Sequence, residues 1–390
     1  MIIVNPLAAR TAKYAAAAAE VVAIKTARTA MEFFSGCSLY SETPLRAFDV
    51  LAGRLNVARI FVKDETSRLS LTSFKALGGS YAILRKACAP QKEGRIDSRR
   101  DETFVTATDG NHGISVAAGA KIAGRRSVCF LPSHVDHLYE GTMRALGADV
   151  IRVDGNYDEA VVAALRAAKE NDWTLISDTT DAAFDEVTHN IMAGYGVLAE
   201  ECVEQLQDAG YGMADKKITH VFIQGGVGGL AAAVAGRLWE NFGENRPTIV
   251  IVEPKSADCL FQSALRGTIW KSSGDLVTTM GGLSCGRPSR MAWTILATTA
   301  DFFMTIDEAT AAAGVVAVTS DPAAPDRETT PSGAAGIAGL IEAALDSRTR
   351  AEIGLDDRSV VLCVCTESIP DPKGVEPILA LTRNRERMRA

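Results

Sequence analysis

Apolar residues along this chain follow two alternating patterns. In the first, short and nearly unbroken apolar runs are bounded by turn residues, predicting buried strands at 59–63, 103–108, 127–131, 149–153, 174–177, 220–224, 248–253 and 359–365. In the second, apolar positions recur every three or four residues, predicting helices at 77–87, 114–123, 139–146, 158–171, 190–208 and 230–239. Strand and helix alternate along most of the length. That order predicts an α/β protein with parallel-rich twisted sheets flanked by helices, and ligands at the carboxyl ends of the strands. The βα units between 103 and 177 are expected to form a smaller lobe, residues 89–189, inserted into a larger one made of 1–88 and 190–390. Exposed connections are expected at 90–102, dense in charge, and at 319–332, rich in Pro, Asp and Ala.

The 390 residues suffice for two packed cores, and a composition 47% hydrophobic and 23% charged is ordinary for a globular protein. A formal net charge of −7 argues against nucleic acid or an anionic membrane as the main partner. No apolar run reaches the roughly 20 residues that span a bilayer. The Ala/Val-rich run 15–24 follows Arg10 and Lys13, but Glu20 interrupts it and Lys25 and Arg28 follow at once. It is read as an amphipathic surface helix rather than a signal peptide. The eight cysteines show neither CxxC pairs nor zinc-like spacing with histidine, so free thiols in a cytoplasmic protein and no metal site are expected. Cys363 and Cys365 alternate with Val and read as small core residues of a strand.

Candidate chemistry sits in the turns. Ser70-Leu-Thr-Ser-Phe-Lys75-Ala-Leu-Gly-Gly-Ser80 places one lysine between an aromatic residue, Phe74, and a Gly-rich helix start. Such a lysine is either solvated or deliberately desolvated; desolvation lowers its pKa, and the neutral amine can attack an aldehyde. Gln224-Gly-Gly-Val-Gly-Gly229 follows a strand and opens a helix, so backbone N–H groups converge on an anion such as a phosphate. It is neither a dinucleotide fingerprint nor a P-loop, and a tight turn is its plainer reading. In the loop Thr108-Asp-Gly-Asn-His-Gly113, Asn111 can donate to a phenolate-like oxygen and Asp109 can accept a proton; an Asx turn and helix cap are the alternative. His112 is read as structural. Asp178 ends another strand, with an N-cap as its competing explanation. Glu253 and Thr366 end two strands of the larger lobe, each where a ring would need an edge partner. A reactive lysine, a phosphate cradle, an Asn loop and a strand-end hydroxyl are what pyridoxal 5′-phosphate (PLP) asks for.

The chain resembles the fold-type II (tryptophan synthase β-like) PLP enzymes and, within them, the diaminopropionate ammonia-lyases, over nearly its whole length. The motifs are Tyr40-Ser-Glu-Thr-Pro-Leu45, Val62-Lys-Asp-Glu65, Ser73-Phe-Lys-Ala-Leu-Gly-Gly79, Thr108-Asp-Gly-Asn-His-Gly113, Asn190-Ile-Met-Ala-Gly-Tyr195, Val252-Glu-Pro254, Ala257-Asp-Cys259 and Met280-Gly-Gly-Leu-Ser-Cys-Gly286. The resemblance implies PLP held by the larger lobe. Lys75 would be its Schiff-base lysine, Asn111 would bond its O3′ oxygen, Gly225, Gly226, Val227, Gly228 and Gly229 would cradle its phosphate, and Thr366 would meet its pyridine nitrogen. Phe74 and Glu253 complete the expected cofactor contacts. Asp109 and Asp178 match acids of the ammonia-lyase site. Lys75 would take the Cα proton of an L-substrate and Asp109 that of a D-substrate, with 2,3-diaminopropionate giving pyruvate and ammonia. A small amino-acid substrate and a homodimer are likewise implied. Cys259 and Cys285 match a pair that can form a disulfide near the family's active-site entrance; in a reduced cytoplasm free thiols are expected.

Four segments depart from the family's pattern: Ser133-His-Val-Asp-His137, Thr179-Thr-Asp-Ala182, Thr330-Pro-Ser-Gly333 and Cys365-Thr-Glu-Ser368. They surround the expected substrate and leave the cofactor positions intact. A hydroxyamino-acid dehydratase or another β-eliminating or β-replacing enzyme is therefore the second reading, and a non-catalytic sensor or partner subunit the third.

Overall fold

The computed structural model describes residues 1–9, 22–88, 102–211 and 217–387. Most of the surface helix expected at 15–24, and of the connection expected at 90–102, lies outside the described residues. The described strands are β1 (Ile2–Val4), β2 (Leu45–Ala47), β3 (Arg59–Asp64), β4 (Thr103–Ala107), β5 (Arg126–Pro132), β6 (Asp149–Val153), β7 (Thr174–Leu175), β8 (His220–Gln224), β9 (Thr248–Pro254), β10 (Phe302–Ile306) and β11 (Val360–Cys365).

They form two sheets. The larger runs β1-β10-β9-β8-β11-β3-β2, parallel from β10 to β3 with antiparallel strands at both edges; the smaller, β6-β5-β4-β7, is wholly parallel. All eight predicted strands are present. β1 and β2 were not predicted because three residues are too few for a pattern, and β10 because only a two-residue turn, Ala300-Asp301, separates it from the apolar helix Arg290–Thr299.

Alternate residues of a strand face opposite layers, and the larger sheet uses both. Val221, Ile223, Leu362 and Val364 pack under the helices Ile24–Ser35, Glu186–Asp208, Gly229–Phe242 and Arg290–Thr299. Phe222, Val361, Cys363 and Cys365 face the helices Asp49–Arg54, Glu308–Thr319 and Pro331–Leu345, so both cysteines are core residues as expected. In the smaller sheet, Cys129, Leu131 and Val150 share a layer with the helices Asn111–Ala123 and His137–Ala145, which Val375 and Ile378 of the C-terminal segment also join. Val105, Val128 and Phe130 face the helix Tyr157–Asn171 on the other side. The helix Lys75–Ala87 bridges the two: Ala76 lies with the smaller sheet's layer, Leu77, Tyr81 and Ile83 with the larger.

The stretch 319–332 is the expected connection, with residues 319, 320, 322, 325, 326 and 328 exposed, but part of it packs inward. Asp321, Ala324, Thr329 and Ser332 are buried. Thr329 Oγ1 donates to the Glu367 carbonyl (2.8 Å), and Thr330 caps the helix Pro331–Leu345 by accepting from the Gly333 N–H (3.0 Å). Among the described residues no helix is long and apolar enough to cross a membrane, and no group of His, Cys, Asp and Glu could hold a metal ion.

Candidate active site

The carboxyl ends of β4, β7, β8 and β11 converge on one cavity, lined by Phe74, Lys75, the 108–112 loop, Asp178, the 225–229 loop and Thr366. Local hydrogen bonds explain why these side chains face it. In the loop after β4, Thr108 Oγ1 accepts from the N–H groups of Gly110 (2.9 Å) and Gly113 (2.8 Å). Thr108 thus satisfies the start of the helix Asn111–Ala123, and the capping role considered for Asp109 and Asn111 falls away. Asp178 does not cap either, because Asp185 does so for the next helix. The Lys75 turn is tied to the end of β11 through Phe74 N–H to the Thr366 carbonyl (3.1 Å) and Ser368 N–H to the Thr72 carbonyl (2.8 Å).

The glycine loop after β8 has left-handed backbone at Gly226 (φ 64°) and Gly228 (φ 96°), a conformation costly for residues with a Cβ. A methyl group on Gly225 would lie 2.6 Å from Glu253 Cγ. The loop opens the helix Gly229–Phe242, whose first-turn N–H groups have no intrahelical acceptor and carry its partial positive charge. This is an anion cradle built of backbone.

Lys75 Nζ donates to Asp178 Oδ2, with the lysine side chain 19% and the aspartate 7% exposed. Burial alone would lower the lysine's pKa, as expected from the sequence, but the Asp178 carboxylate outweighs it and holds Lys75 above its ordinary value. The expected neutral amine is therefore an ammonium in the chain without ligand. Asp178 answers in kind: burial pushes its pKa up, yet Lys75, then His112, and the Tyr157 hydroxyl hold it below the usual range. Asp109 has no hydrogen-bond partner for its carboxyl among the described residues, and burial and the charge of Asp178 push it well above the usual range. One acid is thus kept ionised beside another disposed to hold a proton.

Asn111 Nδ2 donates to Glu367 Oε2 (2.9 Å), and Thr330 Oγ1 to Glu367 Oε1 (2.6 Å). Thr366 Oγ1 accepts from Gln224 Nε2 (3.3 Å). His112 is structural, its Nε2 on the Ile176 carbonyl (3.0 Å). Two expected contacts, Gly228 and Glu253, do not line the cavity; Gly228 sits behind it as the left-handed residue that precedes the helix Gly229–Phe242, and Glu253 points elsewhere. Its carboxylate turns to the start of the helix Cys259–Arg266, accepting from Leu260 N–H (2.9 Å) and Phe261 N–H (2.7 Å), because those first-turn donors have no other acceptor. Cys259 and Cys285 are buried free thiols. Cys285 lines the cavity, while the Cys259 thiol donates to the Gly226 carbonyl (3.5 Å) from behind the loop.

Tyr195, Tyr157, Gln224, Ser332 and Glu367 also line the cavity and were not singled out from the sequence. Tyr195, Gln224, Ser332 and Glu367 all stand inside quoted segments and could have been found there; Tyr157 opens a helix with no local signal. The Tyr195 hydroxyl and Gln224 Oε1 are buried without a partner. Orphaned polar atoms beside a backbone anion cradle, a lysine and an amide donor fit a phosphorylated aldehyde with a polar ring.

Residues 38–367 match the family described as pyridoxal-phosphate dependent enzyme. The chain is 34% identical to diaminopropionate ammonia-lyase of Escherichia coli (strain K12) over 364 residues, 89% of either chain. It is 37% identical to that of Salmonella typhimurium over 292 residues, 71% of either chain. The crystal structure of the E. coli enzyme, in complex with an aminoacrylate–PLP azomethine reaction intermediate, superposes with a TM-score of 0.85 at 31% identity, covering 98% of this chain and 96% of that one.

Proposed function

The chain belongs to the pyridoxal-phosphate dependent enzymes and, within them, to the family of the diaminopropionate ammonia-lyases, and from that premise we propose that it eliminates the β-amine of 2,3-diaminopropionate, or a close relative, to give pyruvate and ammonia. The observation that carries the reading is the Lys75–Asp178 pair in the cavity that the glycine loop and Asn111 also line.

PLP, when bound, supplies an aldehyde that links to an amine and a ring that withdraws electrons from the Cα bond. Everything else falls to the chain. The N–H groups of the 225–229 loop would hold the phosphate, Phe74 would contact the ring, Asn111 would donate to its phenolic oxygen, and Thr366 would offer its nitrogen a hydroxyl. A neutral hydroxyl leaves that nitrogen unprotonated, which favours quick loss of a β-substituent over long-lived carbanion chemistry. Lys75 Nζ takes the Cα proton of an L-substrate, while Asp178 stabilises the resulting ammonium. Asp109, whose raised pKa makes it the stronger base once it is ionised, takes the proton of a D-substrate. Residues 1–88 and 190–390 would form the cofactor-holding unit and 89–189 the smaller one, against which Val375 and Ile378 rest. Burial of thiols such as Cys129, Cys202 and Cys285 as free cysteines suits the cytoplasm. A homodimer rests on the family resemblance alone.

The test is visible absorbance of the purified protein, then pyruvate release from D- and L-2,3-diaminopropionate. The wild type is expected to be yellow and active, and Lys75→Ala colourless and inactive. A yellow wild type that ignores both isomers but deaminates serine would replace the substrate reading with a dehydratase. A colourless protein after added PLP would remove the whole assignment.

A further inference from the structure

Glu367 lies where the inner cavity meets the wider groove leading to solvent, and it lines both. It is buried, and neither of its oxygens is engaged by a cation: Oε2 accepts from the Asn111 amide and Oε1 from the Thr330 hydroxyl. A carboxylate accepts about four hydrogen bonds, so lone pairs remain open on both oxygens. The charges facing this cavity do not balance. Lys75 is taken by Asp178, and Asp109 and Glu367 are left without any Lys or Arg partner among the lining residues. Buried carboxyls without a cation are costly unless a ligand brings one. The enclosure gives Glu367 a further property: burial raises its pKa, offset in part by Thr330, Asn111 and Lys75.

We propose that Glu367 is a specificity-determining carboxyl of this site, receiving the ammonium on the substrate's β-carbon and so selecting a cationic leaving group over a hydroxyl. The inference rests on the ammonia-lyase reading and deepens it. Serine and 2,3-diaminopropionate differ at that carbon by a hydroxyl against an ammonium, and a buried carboxyl distinguishes the two by charge as well as shape. The ammonium bound there leaves as neutral ammonia with its three protons once the Cα proton is lost, so Glu367 receives no proton and acts only by its charge. The C–N bonding pair departs with nitrogen, so charge and protons balance without a co-reactant.

The test uses the PLP-loaded enzyme and Glu367→Gln, which keeps an acceptor for one of the two donors. The readouts are kcat/KM on diaminopropionate and on serine, the visible band, and the PLP dissociation constant. A loss of at least about 30-fold on diaminopropionate is expected, as for removing one partner of a buried charge pair, with serine turnover, the band and PLP affinity within about threefold of wild type. Parallel loss on both substrates, or weakened PLP, would overturn the proposal and leave Glu367 only positioning Asn111. Unchanged diaminopropionate turnover would overturn it as well. Wild-type protein supplies a check that does not depend on the variant folding: spectral titration with 2,4-diaminobutyrate and 2-aminobutyrate, which differ by one ammonium. Tighter binding of the diamine supports the proposal, and equal binding overturns it. A wild type that deaminates serine but not diaminopropionate would instead sink the underlying substrate reading.

Discussion

The proton on Lys75 is governed by one neighbour. Without Asp178, burial would deliver a neutral amine; with it, the lysine stays charged until a ligand intervenes. Lys75 must shed that proton before its nitrogen can attack an aldehyde, so PLP loading of the apo chain should speed up as pH rises from 6 toward the lysine's raised value. Asp178→Asn removes the carboxylate that raises it and should move that rise to lower pH, making loading at pH 7 faster than in wild type. The same variant should release pyruvate about 100-fold more slowly, because Lys75 loses the carboxylate that stabilises it as an acid. Stopped-flow absorbance and a pyruvate assay check the two halves separately. Slower loading at pH 7 would contradict this account of the Lys75 proton.

Two elements depend on the absence of a Cβ. The helix Glu186–Asp208 crosses the helix Lys75–Ala87 so closely that a methyl on Gly194 would lie 2.3 Å from the Leu77 carbonyl oxygen. Since that oxygen belongs to the first turn after Lys75, Gly194→Ala should cost about 1–3 kcal/mol of stability by urea unfolding. Activity should fall further than the folded fraction, because the lysine is carried on the displaced turn. In the glycine loop, a Cβ on Gly226 would make only ordinary van der Waals contacts, with Leu283 Cδ2 at 3.6 Å as nearest atom, so backbone conformation is what is at issue. Gly226→Ala should therefore fold, but bind PLP about tenfold more weakly, matching roughly 1–2 kcal/mol for a left-handed residue. Fluorescence titration of the apo protein with PLP measures it.

At the scale of the whole molecule, some quoted motifs hold the larger sheet together rather than the site. Tyr40, Thr43, Lys63 and Glu65 meet Arg68 and Glu201 in a buried polar cluster. Lys63 Nζ lies 2.6 Å from Glu201 Oε2, Arg68 reaches both Glu201 oxygens at 2.7 Å, and Tyr40 donates to Glu201 at 2.9 Å. Burial would raise the Glu201 pKa, but Arg68 and Lys63 outweigh it and hold it below the ordinary value. Its contribution to stability is thus complete above the unfolded glutamate value of about 4.3 and is lost as pH falls through the lower folded one. Glu201→Gln should destabilise by about 3–5 kcal/mol at pH 7, because two cations stay buried with less compensation, and the deficit should shrink at pH 3. Denaturant curves at both pH values decide it; a change below about 1 kcal/mol at pH 7 would refute the buried-pair argument.

The sequence by itself determined the alternation of strand and helix, the two sheets that follow from it, and the chemical parts: Lys75, Asn111, the 225–229 loop, Thr366 and the acids Asp109 and Asp178. These are local properties, set by apolar period, glycine backbone freedom and residue type at a strand end. Family resemblance then named the chemistry those parts are proposed to serve. The tertiary structure decided which polar groups face one another. It gave Asp178 to Lys75 from 103 residues away and so reversed the expected charge on the lysine. It turned Glu253 from the cavity to a helix start, brought the Thr330 hydroxyl to Glu367, and set Glu367 against Asn111 across 256 residues. No periodicity encodes such pairings, because a carboxyl's protonation and partners depend on burial and on charges that only folding brings within a few ångströms.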